Sequence, residues 1–166
     1  MRRQGCAALL LLCAGSVPLS LGAATSQSFQ VSATITPGCL VVGGVSNYGG
    51  LNFGSSSALA TGTVQVALTG GVQLQCTPGV ALNMTVDGGQ YNSSGRHMQI
   101  NSGSARVAYA LFRDAAYSQS LGIGQSVAVA YSDANNISLP IYGQVQLPGN
   151  QPGGTYSDVL QVQLSW

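Results

Sequence analysis

Short runs of alternating apolar and polar side chains, cut off by paired glycines or asparagines, most constrain what this chain can fold into. Phe29-Gln30-Val31-Ser32-Ala33-Thr34-Ile35 alternates strictly, with apolar residues at the odd positions. Thr63 to Thr69, Val72 to Thr77 and Leu82 to Val86 largely keep the same period of two. Successive side chains of a strand point to opposite faces, so this period sets one apolar face on a core and one polar face in water. Val107 to Phe112 is an unbroken apolar run, as expected of a core strand; Val127 to Tyr131, Ile137 to Tyr142 and Tyr156 to Trp166 complete the set. Gly70-Gly71, Gly88-Gly89, Asn135-Asn136 and Gly153-Gly154 are the turn candidates. No segment combines helical periodicity with caps, although Asp114 to Gln119 leaves room for a short helix. The pattern predicts one all-β domain, a sandwich or barrel, with no repeat and no linker.

The N-terminus is of a different kind. Arg2 and Arg3 precede an apolar run from Cys6 to Ala14, and Gly22, Ala23 and Ala24 follow. That order reads as a secretory signal peptide over residues 1–24, cleaved after Ala23 or Ala24. The run is roughly half of the ~20 residues that a membrane-spanning helix needs. Leu12 stands before Cys13 where a lipoprotein signal requires a small residue. No second long apolar run follows, so no membrane span is expected.

Beyond the signal, the charges are Arg96, Arg106 and Arg113 against Asp87, Asp114, Asp133 and Asp158, with no lysine and no glutamate. Nucleic-acid binding needs a basic footprint to neutralise phosphates, and none exists. Attachment to an anionic membrane surface fails for the same reason. Disorder goes with low hydrophobicity and high charge, whereas this chain is 45% hydrophobic. A nearly uncharged surface offers weak protection against self-association, which suits a protein that polymerises. Two cysteines remain, Cys39 and Cys76; an even pair in an exported chain reads as one disulfide. Their spacing fits no zinc pattern and a single histidine is too few for a mixed site, so no metal and no cofactor are expected.

The two ends carry the most information. The last strand places Tyr156, Leu160, Val162, Leu164 and Trp166 on one face, with Asp158 and Val159 interrupting the alternation. Running to the final residue, it is expected to have an uncovered outer edge. At the other end, Phe29, Val31, Ala33 and Ile35 form an amphipathic strand a few residues before Cys39, where a short tail would ordinarily be polar and loose.

An ordered set of segments resembles the spore coat protein U family, and within it the rod subunit of archaic (Csu-type) chaperone–usher pili. The segments are Thr36-Pro37-Gly38-Cys39 with Val42-Gly43-Gly44, Leu51-Asn52-Phe53-Gly54, Val72-Gln73-Leu74-Gln75-Cys76, Thr85-Val86-Asp87-Gly88-Gly89, and Val107-Ala108-Tyr109 leading into Phe112-Arg113-Asp114-Ala115-Ala116. Pro140-Ile141-Tyr142-Gly143 and Gly154-Thr155-Tyr156-Ser157-Asp158, leading into Val162-Gln163-Leu164, follow in order. The loop from Gly54 to Thr63, short and rich in serine and alanine, departs from the family pattern. The resemblance implies an incomplete immunoglobulin-like β-sandwich lacking its last strand, with Cys39 bonded to Cys76. It also implies completion by donor-strand complementation, a form of strand addition. Residues 25–36 are then the donor segment, with Phe29, Val31, Ala33 and Ile35 its inserting face, and residues 37–166 the pilin domain. The implied partners are a periplasmic pilus chaperone, an outer-membrane usher, copies of the chain itself and related pilins. The expected location is the cell surface, reached through the periplasm, with a role in adhesion and biofilm formation.

Other readings are a secreted spore-coat or matrix protein and a carbohydrate-binding tip adhesin, the latter expected to carry an extra domain for which there is no room. An enzyme is not expected. His97, beside Arg96 in a Gly/Ser/Asn-rich stretch, is placed on a surface loop without a nucleophile and orienting group. Asp133 with Asn135 and Asn136 is too sparse for a calcium loop, and Asp87 before Gly88-Gly89 reads as a turn residue.

Overall fold

The computed structural model describes residues 28–44, 48–71 and 73–166. The expected signal peptide over residues 1–24, its expected cleavage site and Val72 lie outside the described residues. The chain divides into two units, Met1–Thr34 and Ile35–Trp166. In the first, Ser28–Thr34 carry no strand, and Phe29 and Val31 are 86% and 83% exposed. The strand expected over Phe29 to Ile35 is therefore not formed here. A strand is held by its ladder, and these residues have none.

The second unit is built from ten strands among the described residues. They are β1 Cys39–Val41, β2 Thr61–Ala67, β3 Leu74–Cys76, β4 Asn83–Val86 and β5 His97–Ile100, then β6 Arg106–Phe112, β7 Val127–Ala128, β8 Tyr142–Pro148, β9 Tyr156–Ser157 and β10 Val162–Ser165. Every pairing is antiparallel. One sheet has the order β2-β8-β6-β5-β9, another β10-β4-β7, and β1 pairs with β3. The pairing of β2 with β8 continues past the sheet corner, through Leu68 N–H to Ile141 O and a bridge between Leu74 and Ile137. The inward residues meet in a core that includes Leu74, Leu82, Met84, Leu111, Leu121 and Ile137, each at most 2% exposed.

Several expectations shift. The segment Ile137 to Tyr142 makes only a bridge at Ile137, and the long strand β8 starts where that segment ends. In β6 the apolar run is only half buried: Val107 and Leu111 face the core while Ala108 and Ala110 face out. Asp114 to Gln119 is a turn, not a helix, closed by the Asp114 carboxylate accepting from the backbone N–H groups of Ser118 and Gln119. His97 is not on a loop. It opens β5, half-buried, with Nδ1 2.8 Å from Gly95 O.

Candidate functional site: an open strand position

The C-terminal segment changes sheets. Tyr156–Ser157 pairs with β5 in the five-stranded sheet, whereas Val162–Ser165 pairs with β4 in the other. Inward and outward positions nevertheless keep alternating throughout: Tyr156, Asp158, Leu160, Val162 and Leu164 are half-buried, and Ser157, Val159, Gln161, Gln163 and Ser165 are exposed. Asp158 thus does not break the pattern, as the sequence suggested, but continues it as an inward polar residue. Its Oδ2 accepts a 2.7 Å hydrogen bond from Tyr109 OH, and its Oδ1 accepts from Gln90 N–H at 2.8 Å. Burial, this bond and the Asp158 charge push the Tyr109 phenol well above its usual range, against the opposing pull of Arg96. Asp87 fastens the same crossing from the other side, its Oδ1 accepting from Gln161 N–H at 2.9 Å as well as from Gly89 N–H.

Gly89 explains why a glycine pair follows Asp87. Its φ is +79°, and a Cβ there would stand 2.0 Å from Asp158 Oδ2. Only a residue without a side chain lets the two aspartates hold the crossing this tightly. Next to them lies Arg96, which the sequence reading passed over. It is 5% exposed. Its guanidinium donates to the carbonyls of Asp87, Leu121, Val86 and Gly122, at 2.8, 2.7, 2.9 and 3.3 Å. Burial lowers its proton affinity, while nearby Tyr109, Asp87 and Asp158 work the other way. The signal for it lay in spacing: Arg96, Met98 and Ile100 share one face.

Opposite this crossing stands the segment from Tyr48 to Phe53, and between the two opens a cleft of about 530 Å³. Leu68, Val86, Tyr109 and Ile141 line it, so it reaches the core. A neighbouring cleft of about 450 Å³ runs on between residues 51–60 and 147–156. Leu51, Phe53, Met98 and Tyr156 border both. Gly143 of β8 leaves room for this wall, since a Cβ there would come within 2.9 Å of the Phe53 ring and 3.1 Å of Leu51. Beyond the cleft, a Cβ on Gly38 would lie 3.7 Å from Trp166 Nε1. Along this trough β10 is hydrogen-bonded to β4 on one side. On the other side no described residue pairs with it.

β1 is fixed covalently. Cys39 and Cys76 form a disulfide with Cα atoms 4.0 Å apart, joining directly paired residues of β1 and β3. Of the residues singled out in the sequence, Tyr156, Leu160 and Val162 line the first cleft. Leu164 continues the row by parity and is half-buried, and Trp166 is 59% exposed. Ile35, in the same unit, is 89% exposed.

Two antiparallel layers around one core, with a strand position left open beside β10, define an immunoglobulin-like β-sandwich that is incomplete among its described residues. Residues 25–163 match the Spore Coat Protein U domain, and the chain belongs to that family. Among solved structures, it is similar to a chain in the CsuC–CsuE chaperone–tip adhesion subunit pre-assembly complex from archaic chaperone-usher Csu pili of Acinetobacter baumannii. That match has a TM-score of 0.52 and 15% identity, and it covers 80% of this chain and 41% of that one. The chain thus spans less than half the length of that relative, and at this identity the likeness speaks for the fold. No curated protein matches it.

Proposed function

We propose that the protein is a structural subunit of a chaperone–usher surface pilus, polymerising by donor-strand exchange. The observation that carries this reading is the trough that reaches the core beside the unpaired edge of β10. An unpaired edge over an open core invites a strand from another chain. The segment Phe29 to Ile35 supplies a strand of the right kind, with one apolar face and no ladder of its own. Residues 25–36 act as the donor, and residues 37–166 as the accepting domain. A periplasmic chaperone fills the trough before assembly, an outer-membrane usher catalyses the exchange, and the fibre supports adhesion and biofilm formation.

Seating Phe29, Val31, Ala33 and Ile35 in a neighbour stabilises the joint by roughly 5–10 kcal/mol before strand hydrogen bonds are counted. Val31→Asp or Ile35→Asp buries an unpaired carboxylate there, at a cost of several kcal/mol. With chaperone and usher co-expressed, both variants are expected to accumulate as chaperone-bound subunit and to form no surface fibre. Ser32→Asp, on the opposite face, is expected to polymerise more nearly normally. Normal fibres from the two apolar-face variants would refute the proposal. Loss of the chaperone-bound subunit itself would place the segment in its own domain's core.

A further inference from the structure

We infer that Trp166 is the end-stop of the trough: held beside Gly38, its indole closes the end where β1 and β10 converge and sets the register of an incoming strand by packing against that strand's Phe29. This rests on the donor-strand reading above and adds to it a residue that decides where the donor stops.

The backbone under the indole is firmly held. Gly38 O accepts from Thr77 N–H at 2.8 Å, Gly38 N–H donates to Thr77 Oγ1 at 3.2 Å, and the next residue is tied to Cys76 by the disulfide. One part of the ring rests on this platform while the side chain as a whole stays 59% exposed. A large apolar surface is therefore left open beyond Val162, the last C-terminal residue lining the larger cleft, whereas that cleft's other side adjoins the second one.

Register follows from direction and phase. All strand pairs of the domain are antiparallel, so a strand continuing that pattern on β10 points its N-terminus at Trp166. Phe29 to Ile35 spans about 20 Å at the usual strand rise, and so does Leu160 to Trp166 in an extended chain. With Phe29 at Trp166, Val31 falls opposite Leu164, Ala33 opposite Val162 and Ile35 opposite Leu160, which lines the larger cleft. Every apolar donor residue then meets an inward residue. A slip of one residue turns the polar face inward and is forbidden by the pattern. A slip of two is not, because it keeps both phases. An aromatic stop at Trp166 removes that alternative: moving further carries Phe29 past the indole, and stopping short leaves the indole bare.

The chain's single tryptophan reports on the site directly. A labelled synthetic peptide of residues 28–37 is titrated into the processed chain, residues 25–166, with peptide anisotropy and Trp166 emission recorded together. Expected are binding with a blue shift of Trp166, and for the Phe29→Ala peptide an affinity about ten- to a hundredfold lower without the shift. Binding that leaves the Trp166 emission unmoved overturns the end-stop while sparing the donor-strand reading; no binding by anisotropy overturns both. Cross-linking reads the register. A Gln30→Cys peptide is expected to form a disulfide with Ser165→Cys and not with Gln163→Cys. Adding Trp166→Ala to each chain is expected to bring the two yields within a fewfold of one another. Cross-linking that stays confined to position 165 after Trp166→Ala refutes the assignment.

Discussion

Arg96→Met tests whether the buried guanidinium holds the domain together. Methionine keeps much of the length and volume but carries no donor. Four carbonyl oxygens lose a charge-assisted hydrogen bond: those of Asp87, Leu121, Val86 and Gly122. Their fates differ. Val86 O keeps a second partner, the N–H of Gly124 at 2.9 Å. The bonds to Asp87 O and Gly122 O lie in part-buried surroundings where water can replace the donor. The bond to Leu121 O is buried, so this carbonyl bears most of the cost. An unsatisfied buried acceptor costs about 1–3 kcal/mol and the weakened bonds about 0.5–1 kcal/mol each. Removing a buried charge returns part of that desolvation cost. The sum is a loss of about 2–4 kcal/mol, a large share of the total for a domain that is stable by about 5–15 kcal/mol. With a urea m-value of about 2 kcal/mol/M, the midpoint falls by about 1–2 M. The assay is urea unfolding of residues 25–166 followed by Trp166 emission, with Arg96→Lys as a companion that restores some donors and is expected to fall between the two. A midpoint for Arg96→Met within about 0.3 M of wild type would refute the argument that these bonds stabilise the domain.

Two further substitutions probe the same crossing. Gly89→Ala places a Cβ 2.0 Å from Asp158 Oδ2 at a φ of +79° and is expected to cost about 2–4 kcal/mol in the same unfolding assay, through strain and displacement of the carboxylate. Tyr109 addresses pH: its phenol pKa is raised on folding, so its stabilisation is complete below the unfolded value of about 10 and is lost as pH rises above it. Tyr109→Phe is expected to cost about 1–2 kcal/mol at pH 8 yet to flatten the alkaline decline, checked by comparing urea midpoints of both proteins at about pH 8 and 11.

The strands that sequence reading found best were those whose alternation is uninterrupted, such as Thr63 to Thr69 and Leu82 to Val86. β8 was placed too early because Gly143 occupies an inward position and hides the period. That position is empty so that Phe53 and Leu51 can fill it from a distant segment, and no local pattern records a demand set by residues 90 positions away. Asp158 was read as a defect because alternation was judged by hydrophobicity, whereas the fold uses parity alone and satisfies the carboxylate from Tyr109 and Gln90. Arg96 escaped notice for a related reason: a cation in a Gly/Ser/Asn-rich stretch looks solvated until the carbonyls that surround it come together. The trough's β10 side was legible in the C-terminal row of apolar residues. Its other wall, Tyr48 to Phe53, was not, since it forms no regular strand and is anchored by a single bridge, Gly50 to the distant Thr69.

The position of the cystine has a mechanical meaning. In a fibre joined as proposed above, a tensile force applied through residues 25–36 enters the domain at Gly38 and reaches Cys39 first. β1 is only three residues long, and hydrogen bonds pulled from one end break one after another. The covalent link at the very first residue of β1 prevents that peeling, and passes the load straight to β3 and to Leu74 and Cys76 in the core. On that proposal, a joint pulled in this way fails by extracting the inserted segment or by tearing the core, not by unravelling from the edge.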